Sequence, residues 1–212
     1  MSDSDLKRVA ARADLCRLLA ACYYQPGPEF LEEDLFGSLR TAAAALDPRM
    51  AELAASMGAA FEANSLVDLQ IDYTRLFMNP TGALAAPYES SWLGGKDPML
   101  TQEITLSVLE AYKQGGYEVD AGFRDLPDHI AAELEFLYAL IFREARAVAS
   151  GNDAELRQAG DLRCRFVDLH LGRWIGPFAQ ALRDGGETPL YRPLADLTER
   201  FVESEAGWRQ SR

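Results

Sequence analysis

The pattern of apolar and polar residues has the period of an α-helix along almost the whole chain. Apolar residues recur at intervals of three and four, which is the spacing of one helix face. The clearest case combines Ile130, Leu134 and Leu137 on one face with Phe136 and Leu140 beside it. A stripe this wide predicts a central helix that is nearly surrounded by others. No run of alternating apolar and polar residues is long enough to predict a strand.

Proline, glycine and capping residues divide this pattern into separate helices. Two irregular stretches interrupt it, at residues 78–97 and at Tyr117–Leu126. The predicted helices cover residues 4–24, 28–46, 48–63, 65–77, 98–115 and 127–150; one that Asp153 caps and that breaks near Trp174; a short segment from Phe178; and one that begins at Thr188-Pro189. The sequence therefore predicts an all-α, single-domain bundle of roughly eight helices over residues 1–212.

The stretch Asp72–Leu93 departs from the helical pattern because two prolines disfavour a helix in its second half. We expect a loop of more than a dozen residues here, and a long apolar loop is often functional. The alternative, that its aromatic side chains only cap the core, stays open. The prolines are Pro80 and Pro87, and the aromatic residues are Phe77, Tyr88 and Trp92.

The charge balance limits the possible partners. The chain has 21 Lys and Arg against 33 Asp and Glu, a net charge of −12. Nucleic-acid binding needs a basic face, so that class is not expected. The charge suits a basic partner such as an arginine-bearing peptide, and it equally suits an ordinary acidic protein.

Compartment and membrane contact follow from other segments. The first fifteen residues have no apolar core typical of a signal peptide, and the longest apolar run, Phe136–Phe142, is too short to span a bilayer. The three cysteines form no CxxC pair and lie in helical patterns, which indicates reduced core cysteines. We expect a cytoplasmic protein with no stable membrane insertion.

A second candidate site lies at the start of the predicted helix 127–150. Pro127 is expected in its first turn, which places Asp128 and His129 beside free backbone donors. The helix dipole favours the carboxylate of Asp128 and opposes a positive charge on His129, so the imidazole should stay neutral. Glu133 follows one turn later, within reach of His129. The alternative is an acidic N-terminal cap beside a surface histidine.

Metal and cofactor sites find little support in the sequence. A di-iron bundle needs Glu-x-x-His pairs, but the residues three before His129 and His170 are Leu126 and Val167. No phosphate-binding glycine loop or serine nucleophile motif is present. We therefore predict no metal, no cofactor and no enzymatic activity.

Several segments, taken together in order and spacing, resemble the TorD/DmsD family of chaperones for molybdenum-containing oxidoreductases. The resemblance runs from about residue 70 to residue 202. The matching segments are Tyr73-x-x-Leu76-Phe77 followed by Pro80, Pro87-Tyr88-Glu89-Ser90-x-Trp92, Leu126-Pro127-Asp128-His129, Phe166-x-x-x-His170-Leu171-x-x-Trp174, and Tyr191-x-x-Leu194 with Phe201.

The resemblance implies a cytoplasmic chaperone, monomeric or homodimeric, with two binding partners. These are the twin-arginine signal peptide and the apo form of a molybdoenzyme catalytic subunit, which the chaperone would hold back from export until the cofactor is inserted. The family's binding residues carry over to Trp92 and its neighbours, and to Pro127, Asp128 and His129.

The chemistry of such a leader suggests which side chains would meet it. Carboxylates would bind the two guanidinium groups, and an apolar groove would hold the segment that follows. The expected carboxylates are Glu89, Asp128 and Glu133, and the expected groove residues are Phe77, Tyr88, Trp92 and Leu93.

Two other classes of protein remain as alternatives. A small all-α enzyme would use His129 and Glu133 as an acid/base pair under an aromatic lid. An oligomeric scaffold without a ligand would pack the aromatic loop against another subunit.

Overall fold

The computed structural model describes residues 3–78, 82–118 and 125–208, and for residues 3–5 it describes the backbone only. Pro80 lies outside the described residues, as do residues 119–124 of the irregular stretch that begins at Tyr117.

Eleven α-helices make up the described part of the chain, which contains no extended strand. The prediction of an all-α fold is confirmed, whereas the predicted number of roughly eight helices is too low. None of the described helices is long and apolar enough to cross a membrane. The helices are α1 Asp3–Ala21, α2 Glu29–Glu32, α3 Leu35–Ala44, α4 Pro48–Ala63, α5 Leu66–Tyr73, α6 Glu89–Leu93, α7 Pro98–Gly115, α8 Ile130–Ser150, α9 Asp153–Leu169, α10 Leu171–Gly185 and α11 Tyr191–Gly207, and a π-helical turn, Thr74–Met78, continues α5.

Capping side chains set several helix starts where the sequence predicts them. The Asp47 carboxylate accepts a hydrogen bond from Arg49 N before α4, and the Ser65 hydroxyl accepts one from Asp68 N at the start of α5. Asp97 does the same at α7. These local bonds satisfy donors that the helix itself leaves free. Consequently α4 and α7 have the predicted bounds.

The predicted helix over residues 28–46 is two helices, α2 and α3. Between them Asp34 adopts a left-handed conformation with φ of 49°. Aspartate tolerates this conformation better than most residues. The chain turns there, and Phe30 from α2 and Phe36 from α3 both pack on Phe61 of α4.

The helix break predicted near Trp174 lies instead at His170, which separates α9 from α10 with non-helical backbone angles. Pro177 lies inside α10. An internal proline removes one backbone hydrogen bond. Trp174, Phe178 and Leu182 are nevertheless fully buried along the same helix, and their burial offsets that loss.

Helix α8 lies at the centre of the bundle, as its wide apolar stripe predicts. It packs against α1 on one side and α9 on the other. Its large apolar residues from Ile130 to Ile141 are buried, apart from the half-buried Tyr138, and Phe142 is exposed. All three cysteines are free; Cys16 and Cys22 are buried as predicted, whereas Cys164 is only half-buried and is not a core residue.

Four charged side chains form a buried ion network between α1, α8, α9 and α11. Arg12 donates from Nε and Nη2 to the two carboxylate oxygens of Glu205 at 2.7 and 2.6 Å. Glu144 accepts from Arg12 at 3.2 Å and from Arg163 at 2.8 Å. The indole of Trp208 lies 4.2 Å from the Arg12 guanidinium and covers it. The two positive and two negative charges therefore cancel inside the core.

Candidate functional site

Backbone hydrogen bonds join the aromatic stretch to the residues before α8. They create an isolated antiparallel bridge between Tyr88 and His129. The two candidate regions of the sequence therefore form one site. The bonds run from Glu89 N to Asp128 O at 3.0 Å and from Ile130 N to Pro87 O at 2.8 Å.

The loop expected after residue 77 contains a helix, α6, and Asp128 holds its N-terminus. The Asp128 carboxylate is fully buried and accepts hydrogen bonds from Ser90 N at 3.0 Å and from the Thr105 hydroxyl at 3.3 Å. Tyr88, at the N-cap position of α6, makes no side-chain capping bond. Asp128, which lies outside α6, supplies the missing acceptor. The prediction that Asp128 lies in the first turn of α8 is wrong, because α8 begins at Ile130.

His129 is the N-cap of α8, which begins at Ile130 rather than at Pro127. Its Nδ1 accepts a hydrogen bond from Ala131 N at 3.1 Å, so in the neutral ring Nε2 carries the proton. Nε2 lies 4.0 Å from Asp125 Oδ2. Burial lowers the pKa of His129, although the carboxylates of Asp125 and Asp128 act in the opposite direction. The lowered pKa favours the expected neutral imidazole, and burial is its main cause.

Beneath α6 lies a buried polar cluster formed by Glu89, Glu133, His170 and Trp174. His170 Nδ1 lies 3.0 Å from Glu89 Oε2, within hydrogen-bond distance. Trp174 Nε1 donates to Glu133 Oε2 at 3.3 Å. The cluster connects α6, α8 and the junction between α9 and α10.

Glu133 is the least satisfied member of this cluster. Within the described part of the chain, its Oε1 is buried without a hydrogen-bond donor. Burial raises the pKa of Glu133 well above its usual value, and the neighbouring Glu89 carboxylate raises it further. A protonated Glu133 can donate to Glu89, whereas two charged carboxylates would repel each other. Burial therefore favours the protonated form of Glu133.

The aromatic residues of the stretch divide between the core and the surface. Phe77 is a core residue that packs on Tyr73 and Phe178. Trp92 is half-buried; its Nε1 donates to Ala86 O at 2.8 Å and its ring meets the edge of Phe178 at 6.3 Å. The core-cap alternative thus holds for Phe77 and only in part for Trp92.

The predicted site residues differ in their access to solvent. The three expected carboxylates, Glu89, Asp128 and Glu133, are buried against other protein groups. The half-buried members of the set are Tyr88, Trp92, Leu93 and Pro127. In this conformation a ligand would meet these four first.

Sequence reasoning missed several residues that organise the site. Tyr112 donates its hydroxyl to Pro127 O at 2.7 Å, and Asp125 accepts from the Tyr88 hydroxyl at 2.7 Å. His170 and Trp174 appeared only as parts of a motif. Their spacing of four was the available signal, but nothing in the sequence indicated that Glu89 and Glu133 would face them.

The described residues contain no group of three or more His, Cys, Asp or Glu side chains arranged to hold a metal ion.

Fold and site together define an all-α protein in which a short aromatic helix is clamped to the N-terminus of a central helix. A family model described as nitrate reductase delta subunit matches residues 43–180, and the chain belongs to this family. The relatives below confirm the resemblance to TorD-type chaperones.

Two of the similar proteins are named as chaperones. "Chaperone protein TorD" of Shewanella pealeana is 28% identical over 153 residues, covering 69% of this chain and 63% of that protein. "Selenate reductase assembly chaperone protein" of Thauera selenatis is 36% identical over 109 residues, covering 50% of this chain and 52% of that protein. The chain thus spans less than two thirds of the length of these relatives. Their names describe chaperones, in agreement with the prediction that the chain is not an enzyme.

Proposed function

We propose that the protein is a cytoplasmic chaperone for a molybdopterin-containing oxidoreductase. It binds the twin-arginine signal peptide of the apo catalytic subunit and assists cofactor insertion and assembly before export. The observation that carries this proposal is the bridge between Tyr88 and His129, which joins the two segments that resemble the chaperone family.

The exposed part of the site suits a peptide better than a small molecule. Tyr88, Trp92 and Leu93 present partly exposed aromatic and apolar surface. Leu126, the residue before Pro127, is 50% exposed. An extended or helical leader segment can lie against such a surface. The net charge of −12 favours encounter with a basic leader.

The buried carboxylates act in this proposal by positioning α6. Asp128 holds the backbone of its first turn, and Glu89 connects it to His170. Trp92 on the same short helix is thereby kept at the surface of the bundle. We therefore assign Glu89, Asp128 and Glu133 an indirect role in peptide binding.

The geometry gives no support to the acid/base enzyme alternative. Glu133 is fully buried and bonded to Trp174, and the His129 ring nitrogen Nδ1 is occupied by the backbone of α8. A general base must reach a substrate proton.

Capture from native cytosol followed by mass spectrometry tests the proposed function. We expect the purified protein to retain a molybdoenzyme precursor whose leader is intact. Isothermal titration with the synthetic leader should then show binding that a scrambled peptide of equal composition lacks. Capture of no precursor, together with equal affinity for the leader and scrambled peptides, would overturn the proposal.

A further inference from the structure

Two carboxylates beside the site are held by tyrosine hydroxyls and keep partial access to solvent. They are Asp125, before α8, and Glu135, on α8. We propose that these two carboxylates bind the two guanidinium groups of the twin-arginine leader, with Tyr24, Tyr88 and Tyr117 beside them. This inference rests on the proposed function and replaces the buried carboxylates that the sequence suggested.

Asp125 is oriented from two sides and is 41% exposed. Its Oδ1 accepts hydrogen bonds from the Tyr88 hydroxyl at 2.7 Å and from Leu126 N at 2.9 Å. Its Oδ2 faces the neutral His129 ring at 4.0 Å. These contacts fix the direction of the carboxylate without cancelling its charge.

Glu135 is oriented by two phenols. Its Oε1 accepts from the Tyr24 hydroxyl at 2.8 Å, and its Oε2 accepts from the Tyr117 hydroxyl at 3.2 Å. Each oxygen keeps a second lone pair for another donor. Tyr24 is 39% exposed and Tyr117 is half-buried, so the carboxylate lies at the edge of the bundle.

Two buried tyrosines, Tyr112 and Tyr73, lie close to residues beside both carboxylates. Tyr112 packs against the Tyr117 ring at 5.2 Å and donates to Pro127 O, two residues after Asp125. The Tyr73 hydroxyl donates to the carbonyl of Tyr23, next to Tyr24. Burial and the Asp125 carboxylate together raise the pKa of Tyr73 to about 12, which agrees with a position of Tyr73 between Asp125 and Tyr24.

This surface, Tyr24, Tyr88, Tyr117, Asp125 and Glu135, has the chemistry that guanidinium groups require. A guanidinium forms charge-assisted, bidentate bonds with a preoriented carboxylate and packs on the face of a phenol. The carboxylates of the ion network around Arg12 already have arginine partners inside the core. Within the described residues, the hydrogen bonds to Asp125 and Glu135 come from phenols and one backbone amide, and a cationic ligand would supply an opposite charge.

The test is a double-mutant cycle between protein and peptide. Asp125→Asn and Glu135→Gln are titrated with the leader and with two peptides in which one arginine is replaced by citrulline, its neutral isostere. We expect each variant to bind the unmodified leader about tenfold more weakly. Each variant should also lose the sensitivity of the wild type to one of the two citrulline replacements.

A matched control has the same charge change on a distant surface. Glu52→Gln removes an exposed carboxylate on α4 that pairs with Arg49, and it should leave leader affinity unchanged. Thermal melting checks that every variant is folded. Tyr88→Phe and Tyr24→Phe form a second pair that removes only the orienting hydroxyls, and each should weaken leader binding in the same direction.

The outcomes separate this inference from the proposed function. If the wild type binds the leader and both carboxylate variants keep full sensitivity to both citrulline replacements, the assignment of Asp125 and Glu135 is wrong and the chaperone proposal stands. If the wild type binds leader and scrambled peptide equally, both are wrong.

Discussion

At the scale of single residues, Glu133 is a carboxyl group that folding moves from water into the core beside Glu89. Its pKa is raised in the folded protein, mainly by burial. Below the ordinary pKa of about 4.5, Glu133 is protonated in both the folded and the unfolded protein, so its full contribution to the free energy of unfolding is present there. As pH rises, the unfolded chain releases the proton while the folded protein retains it, and stability decreases towards the folded pKa.

We predict that Glu133→Gln raises the free energy of unfolding at pH 7 by on the order of 1 kcal/mol. The amide keeps an acceptor for Trp174, adds a donor for Glu89 and has no proton to lose. Urea unfolding at pH 4 and pH 7 measures this, and the gain should shrink at pH 4. Equal changes at both pH values would show that Glu133 is not held protonated.

His129 has the opposite dependence, because its pKa is lowered in the folded protein. Its contribution to stability is complete above the ordinary pKa of 6.5 and is lost as pH falls through the folded value. We predict that His129→Asn removes this loss of stability at low pH, because asparagine keeps a capping acceptor at the α8 N-cap and does not titrate. Stability measured from pH 7 to pH 5 should fall less in this variant than in the wild type.

At the scale of elements, α6 depends on an acceptor from outside its own segment. We predict that Asp128→Ala destabilises the protein by about 1–3 kcal/mol, because Ser90 N loses its buried acceptor. Asp128→Asn keeps one acceptor oxygen for Ser90 N and should lose less. Hydrogen exchange of the amides in Glu89–Leu93 should rise most in the alanine variant.

The same pair of variants distinguishes positioning from direct charge recognition. If Asp128 positions α6, leader affinity should follow the exchange rates, with Asn between wild type and Ala. If its charge contacts an arginine instead, Asn and Ala would weaken binding equally while α6 stays protected.

The junction of α2 and α3 is a second element whose geometry depends on one residue. We predict that Asp34→Ala destabilises the protein by about 1 kcal/mol relative to Asp34→Gly, because only glycine adopts a φ of 49° without a steric cost. Chemical denaturation of the two variants measures the difference. Equal stabilities would mean that the junction relaxes to another conformation.

At the scale of the whole molecule, the network of Arg12, Glu144, Arg163 and Glu205 joins helices from both ends of the chain. We predict that Arg12→Met costs about 3–5 kcal/mol, because it leaves the buried Glu205 carboxylate without its bidentate partner. The double variant Arg12→Met/Glu205→Leu should recover much of this loss in urea unfolding. A double variant no more stable than the single one would show that the network is needed as a unit.

The sequence by itself determined the fold class, the bounds of α4 and α7, and the start of α5. Periodicity and capping act over a few residues, so Asp47, Ser65 and Asp97 mark their helices without any knowledge of the tertiary structure. The same local logic identified α8 as central. The motifs around Trp92 and His129 also marked the two segments that the fold brings together.

Only the tertiary structure decided how those segments work together. The N-terminus of α6 is capped by Asp128, and Glu89 meets His170, across separations in sequence that no local pattern encodes. Burial then gave Asp128 and Glu133 partners inside the protein, while Asp125 and Glu135 kept access to solvent. The physical reason is that a helical period assigns a side chain to a face of its own helix, whereas its partners depend on which other helices pack against that face.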